Sequence, residues 1–400
     1  MNIPTLRFPK FKGEWHLKTL QEISNHISYG LTVRPEYIPE GIPLISAREI
    51  KSGSIDYESA PKISRDSFKS LSQKAVPKKG DIFLSKTGTV GLVAYVDRDE
   101  PFAITQNIAV IRISEDGHYD QYLLQYLRTP MFQRQALSKV NKSTIMDLQL
   151  GDIRELTIPF PQNYAEQTQI ASFLAKFDER LTYLNKKYEY LIAYKMEVMR
   201  RIFKKQILIS GKNTKWTRLK ISDITTVCIG GTPSTANPEY WNGSIPWISS
   251  GELKDSIIKS PSKYITELGL NKSAAKIMPA GTTVLAMTGA TLGRLGFLEI
   301  ETSGNQSVAG FIPSDKFDSK FLYYTLFANK NSIFTVAAGG AQQGINKSAI
   351  ENLEFEYPPI DEQKLISRFL TKLDDAIDIQ SIRMQSSIKF KEGLLRKLFI

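Results

Sequence analysis

Residues 163–206 read NYAEQTQIASFLAKFDERLTYLNKKYEYLIAYKMEVMRRIFKKQ, and their spacing decides the architecture. From Ile170 the apolar positions step four, three, four, three through Leu174, Phe177, Leu181, Leu184, Tyr188 and Leu191, then resume at Val198 and Ile202. That is the seam of a helix built to lie along another helix, broken only at Lys195. Asn163 with Glu166 three residues on offers a capping box, and Pro161 stands just ahead of it. At about 1.5 Å per residue such a helix reaches roughly 60 Å, longer than a small domain is wide.

Working outward, the chain repeats itself. Glu166-Gln167, Ile170, Phe173-Leu174 and Asp178 return 196 residues later as Glu362-Gln363, Ile366, Phe369-Leu370 and Asp374. The second seam runs through Ile366, Leu370, Leu373 and Ile377 to Met384, Leu394 and Leu398, over a helix predicted from about Asp361 to Phe399. Lys391 stands where Lys195 does, so the polar interruption is itself duplicated. A polar seam residue lowers stability but fixes register and partner; the alternative is that both lysines snorkel from the seam's edge. The segments ahead of the helices match as well. Trp15, Leu20 and Ile23 are echoed by Trp216, Ile221 and Ile224, Ile42–Ser46 by Ile245–Ser249, Thr87-Gly88 by Thr288-Gly289, and Gln106 with Ala109 by Gln306 with Ala309. So many matches in one order indicate a tandem duplication, with a period far longer than that of solenoid repeats.

Short β-rich runs (Ile42–Ser46, Asp81–Ser85, Gly91–Val96, Ile108–Ile113) separated by Gly, Pro and Asn turns make the first half a mixed domain. A helix is predicted over Asp120–Arg128 and a strand over Arg154–Ile158, ending at Pro159. The reading is an α+β protein with four segments: a head over 1–160, a helical spacer over 161–209, a second head over 210–358 and a distal helix over 359–400. The first helix ends where the second head begins, and the second helix leaves that head. They can therefore pair only antiparallel, which predicts a pseudo-twofold bar with inverted heads, a ruler for whatever the heads bind.

A length of 400 residues with 42% hydrophobic side chains supports two or three domains with real cores. The net charge of +11 favours a polyanionic partner. The single cysteine, Cys228, excludes an intrachain disulfide framework, fits a reducing cytoplasm and reads as a small buried apolar group. Met1–Trp15 lacks a signal-peptide core, and no apolar run reaches about 18 residues, so a cytoplasmic, membrane-free protein is expected.

Catalytic motifs fail on inspection. Asn237-Pro238-Glu239-Tyr240 is one residue from the Asn-Pro-Pro-Tyr signature of adenine methyltransferases, yet no Gly-rich cofactor turn accompanies it. Gly339–Ser348 lacks the Lys directly after Gly that a phosphate loop needs. His16, His26 and His118 have no metal-ligand spacing, and the second half has no histidine for a duplicated base. What is duplicated is polar loop chemistry suited to base edges and phosphates. The first head offers Arg48, Lys86, Thr87, Thr89, Gln106, Asn107, Lys142 and Ser143. The second offers Thr232, Ser249, Ser250, Thr288, Gln306, Gln343, Asn346 and Lys347. Each taken singly is also an ordinary turn or surface residue.

With these residues in view, the chain resembles the specificity subunit of a type I restriction–modification system. The resemblance rests on the two-fold repeat, on Pro159-Phe160-Pro161 and Pro358-Pro359 leading into the Glu-Gln pairs, and on Gln343–Ile350. Gly231-Thr232-Pro233-Ser234 running to Tyr240-Trp241, and the ending Leu394–Phe399, add to it. It implies a protein without catalysis or a cofactor of its own, whose two heads each read half of a bipartite DNA target. It further implies that the helices set the gap and dock two adenine-methyltransferase subunits. Translocating nuclease subunits would complete the complex, with S-adenosylmethionine, ATP and Mg used by these partners. The alternative from another class is a coiled-coil scaffold with two protein-binding heads.

Overall fold

A computed structural model describes residues 3–33, 35–51, 53–70, 76–114, 120–142, 145–338 and 344–399, the side chains of Lys142 and Ala338 excepted. The chain forms two compact units, 1–185 with 382–400, and 186–381. Two long helices, Tyr164–Phe203 and Ile360–Leu398, each contribute one half to each unit.

In the first unit an antiparallel sheet runs in the order Ser24–Tyr29, Ile108–Ile113, Ile82–Ser85 and Val93–Tyr95. A second sheet is built on Ile42–Ile45, which pairs in parallel with Ala103–Ile104 and antiparallel with Lys62–Ile63. The second unit repeats the plan: Thr283–Ala286 lies at the centre of a five-stranded sheet, and Trp241–Ile248 pairs in parallel with Thr302–Gly304. Ile82–Ser85 and Thr283–Ala286 are buried along their whole length, so they carry apolar residues on both faces rather than alternating.

Each head closes its core with the ends of both long helices. Trp15, Leu20, Ile23, Tyr122 and Leu127 pack with Ile170 and Leu174 of the first helix and Leu395, Leu398 and Phe399 at the chain's end. Ile221, Ile224, Phe321 and Leu322 pack with Val198 and Ile202 and with Ile366 and Leu370. The aromatic contacts repeat too: Trp15 meets the Tyr122 ring edge-on at 6.2 Å, and Trp216 meets Phe321 at 6.1 Å. Edge-to-face pairs of this kind add about 0.5–1.5 kcal/mol beyond area burial.

The helices are antiparallel within each unit. In the first, Phe177 stacks on Phe390 and Asp178 pairs with Lys391; in the second, Lys195 pairs with Asp374. Ile170, Leu174, Ile366 and Leu370 are buried, while Phe177, Leu181, Leu184, Leu191, Leu373 and Ile377 are half-buried between exposed flanks. That gradient is the signature of a two-helix seam that each head thickens into a core.

Two local expectations are corrected. The segment predicted as a strand over Arg154–Ile158 is a short helix, Leu150–Glu155, followed by a strand from Thr157 to Pro161. That strand runs through both prolines because, among the described residues, its only strand partner is Trp15–Thr19, so one side needs no ladder N–H. The capping box at the first long helix is only half made. Asn163 Oδ1 accepts from the Ala165 amide at 2.9 Å, but the Glu166 carboxylate is held by Arg7 at 2.7 and 2.8 Å. Glu166 is 1% exposed, and a carboxylate so buried takes the bidentate cation over a backbone amide. The following glutamine explains the repeated Glu-Gln pair: Gln167 Nε2 donates to the Pro161 carbonyl at 3.1 Å and Gln363 Nε2 to the Pro358 carbonyl at 2.9 Å. Each amide thus ties the end of a head to the start of its helix.

Candidate nucleic-acid interface

In the first head the candidate residues gather where the parallel strands end. Gly30 starts the local geometry: a Cβ there would lie 1.9 Å from the Ile104 carbonyl oxygen, so only glycine lets Leu31 donate to that carbonyl at 2.8 Å. Gly230 faces the same demand, 2.2 Å from the Gly304 oxygen, and Gly231 donates there at 2.7 Å. These approaches set Thr32 and Thr232 beside Gln106 and Gln306. All four are exposed, and the Thr232 hydroxyl is bonded to Gln306.

Ser46 and Ser249 head a second duplicated feature. Glu49 Oε2 accepts from the Ser46 amide and hydroxyl at 2.8 and 2.7 Å, and Glu252 Oε1 accepts from those of Ser249 at 3.0 and 3.3 Å. The glutamates went unremarked among the candidates, although Ser-x-x-Glu is a capping-box pattern legible in the sequence. They brace the turns that leave Arg48 exposed and Ser250 half-buried. Arg48, Ser46, Tyr37 and Asn107 line one cleft, and Gln106, Thr32 and Val33 continue along the next. Asn107 Oδ1 receives the Thr105 hydroxyl, while Asn305 Oδ1 accepts from the Ser307 amide at 3.2 Å.

The third feature is the turn after the central strand. Thr87 bridges to Asp147, and Thr288 bridges to Gly344. Thr89 is exposed, as is Thr288, whose hydroxyl donates to Ser307 Oγ at 2.8 Å. Lys86 corrects the expectation of a free phosphate-binding cation. It is 9% exposed and its ammonium donates to Asp147 at 2.8 Å and Thr87 at 3.1 Å. Burial alone would raise the Asp147 pKa, but the Lys86 and Thr87 hydrogen bonds outweigh it and hold the carboxyl below its usual range. Lys347 keeps a half-exposed ammonium, 3.5 Å from Glu351 one turn on, and Asn346 is exposed while its side chain caps that helix at the Ala349 amide, 2.9 Å away. Ser143, Gln343 and His118 lie outside the described residues, as does the side chain of Lys142, whose backbone pairs with Met146.

Backbone bonds join the three features into one surface per head. Thr105 donates to the Ile45 carbonyl at 3.0 Å and Lys86 to Asn107 at 2.8 Å; Asn305 donates to Ile248 at 2.9 Å and Met287 to Ser307 at 2.8 Å. Exposed amides, hydroxyls and cations on a rigid β frame are the kit that base edges and phosphates require. Cys228 is half-buried with its thiol pKa raised by burial, which keeps it protonated. The Asn237–Tyr240 segment is a single turn, with Asn237 accepting from the Glu239 amide at 3.1 Å. Among the described residues there is no group of three metal-ligating side chains.

Comparison with known proteins matches the whole chain and its repeat. The type I restriction modification DNA specificity domain matches twice, over residues 12–192 and 213–389. The chain is 23% identical to the Methanocaldococcus jannaschii MjaX specificity subunit assigned to a type I restriction enzyme, covering 96% of this chain and 92% of that one. It is 32% identical to the specificity subunit of the type I restriction enzyme MjaIX of the same organism, over 48% of this chain and 45% of that one. The fold matches the crystal structure of a type I restriction-modification S subunit from M. genitalium with a TM-score of 0.64 at 18% identity, covering 99% of both chains. Two matches to this one domain, together spanning most of the chain, make it a member of the type I restriction modification DNA specificity family.

Proposed function

We propose that this chain is the non-catalytic, cytoplasmic recognition subunit of a restriction–modification complex, in which each head reads one half of a bipartite target and the paired helices set the gap. The observation that carries this reading is the duplication of the frame under the polar surface: Gln106 and Thr87 in one head are answered by Gln306 and Thr288 in the other, while Arg48 is answered by Gly251 and Lys86 by Met287. Different side chains on one frame suit two different half-sites, and the excess of cations favours phosphate-driven affinity that falls steeply with salt.

Docking of two methyltransferase subunits is supported by a stripe on the long helices. On the first helix Tyr183 in the first unit is 65% exposed, and Tyr190 and Tyr194 in the second, four residues apart, are 73 and 54% exposed. Ile379 and Phe390 hold the positions of Tyr183 and Tyr194 in the second helix and are 50 and 59% exposed. Large aromatic and aliphatic groups left in water along a helix mark an interface. Repetition at two of the three positions, with Ser386 in place of Tyr190, suits two copies of one partner, and the partners bring S-adenosylmethionine, ATP and Mg.

Exchange of residues 1–160 for the first head of another family member tests the reading. Sequencing of methylated adenines in the host should show one half of the target replaced and the other half and the gap unchanged. A change in both halves overturns independent recognition.

A further inference from the structure

The seam lysines are the observation that the recognition reading leaves unused. In the second unit Lys195 is 9% exposed and pairs with Asp374 on the opposite helix. The same carboxylate accepts the Tyr324 hydroxyl at 2.6 Å, from the head helix Ser319–Ala328. The ammonium lies 5.5 Å from the Tyr324 ring centre and 5.4 Å from that of Phe327. In the first unit Lys391 pairs with Asp178, which accepts from Gln125 Nε2 at 2.9 Å and has Arg128 at 3.7 Å. Gln125 belongs to the head helix Asp120–Leu127, three residues after Tyr122, as Tyr324 is three residues after Phe321. The two rings, Tyr122 and Phe321, make the matching contacts with Trp15 and Trp216. Each carboxylate therefore ties three elements together: its own long helix, the opposing long helix and the head.

We infer that Lys195–Asp374–Tyr324 and Lys391–Asp178–Gln125 are positioning nodes that hold each head at one register and angle on the helix pair, and so set how strictly the gap between half-sites is measured. The inference rests on the recognition reading for its functional consequence, and on geometry for the node itself. A leucine or methionine at the seam would pack without desolvating a charge, and replacing a buried ion pair by apolar groups is often neutral or stabilising. Stability alone therefore does not account for a lysine at this place in both copies. Register does. Slipping the pairing by one heptad sets Lys195 against Ser367 or Ser381, and Lys391 against Ala171 or Asn185. Of these heptad-spaced registers only the observed one gives both lysines a carboxylate, and the others leave a seam charge unpaired. The head's own hydrogen bond to that carboxylate extends the choice of register to the angle of the head.

The test is Lys195→Met with Lys391→Met in the full chain, expressed in its host with its natural partners, with methylated adenines read by sequencing. The double variant leaves two partly exposed aspartates without a counter-charge, so it is expected to melt somewhat lower while keeping its half-sites. Its preference for the native gap over gaps one base pair longer or shorter falls about tenfold, the equivalent of 1.4 kcal/mol. Exchanging the charges, with Lys195→Asp and Asp374→Lys together, should restore strictness at that node. Hydrogen exchange on the isolated chain gives a readout without DNA: amides of Ser319–Ala328 and Asp120–Leu127 should exchange faster in the double variant. Unchanged gap preference with unchanged exchange overturns the node. If removing the whole chain leaves the methylation pattern intact, the recognition reading fails instead, and the exchange experiment alone decides the node.

Discussion

Lys86 in the first head and Met287 in the second occupy the same backbone position. Each donates its amide to the loop after the parallel strand, and each accepts at its carbonyl from the segment returning to the head, Leu148 at 2.8 Å or Ile345 at 2.9 Å. The side chains solve the position differently. Lys86 meets Asp147, whereas Met287 is buried in an apolar core and Gly344 stands opposite Thr288. A Cβ on Gly344 would sit 3.0 Å from the Thr288 methyl and 3.1 Å from the Met287 carbonyl, so this head has little room for an aspartate. The comparison shows a frame kept while its chemistry varied, and it separates cations that hold the frame from cations that face solvent.

The largest effect should come from breaking the first head's pair. Lys86→Ala leaves Asp147 with Thr87 and Gln149 but without a counter-charge. Because the Asp147 side chain is 24% exposed, we expect a loss of about 1–3 kcal/mol, below the full cost of a buried unpaired charge. The loss should be confined to the first head in hydrogen exchange. Importing the second head's solution, Lys86→Met with Asp147→Gly, should recover most of it. If the double variant is no better than the single, Lys86 serves something other than the frame.

A smaller effect is expected at Lys347, whose side chain is half exposed and, among the described residues, has only the 3.5 Å pair with Glu351 on its own helix. Lys347→Ala should lower affinity for any duplex and reduce the salt slope by about one phosphate contact. The Lys86→Met, Asp147→Gly variant should keep the parent slope. Equal slope changes at both positions would erase the distinction between framing and contacting cations.

The helix seam, the duplication and the antiparallel pairing were legible because apolar periodicity is a property of sequence alone and connectivity restricts direction. The identity of loop residues was legible too, since Gln106 and Gln306 lie at turns that the glycines and prolines announce. Their commitments were not. Lys86 and Asp147 are 61 residues apart, and nothing local marks them as partners. Arg7 and Glu166 are separated by 159 residues, and that contact undid a capping box which local spacing favoured. Strand Thr157–Pro161 defied its prolines because an edge position, visible only in the assembled sheet, removes the need for their amides. In each case a long-range partner overrode a sound local rule.

Acid gives the finest probe of the difference between the heads. Asp147 has a folded pKa held below that of the unfolded chain, near 3.9, by Lys86 and Thr87. Its contribution is therefore complete above the unfolded value and is lost as pH falls from about 5 through the folded value. Gly344 offers no such group in the second head. Both heads carry many other carboxylates, so the total acid sensitivity does not isolate this pair. The difference between parent and the Lys86→Met, Asp147→Gly variant does. Melting followed by hydrogen exchange should show the parent's first head losing stability faster than the variant's below about pH 4, with the second head identical in both. Parallel acid profiles for the two first heads would mean that the Lys86–Asp147 bond stabilises the fold no more than the methionine that replaces it.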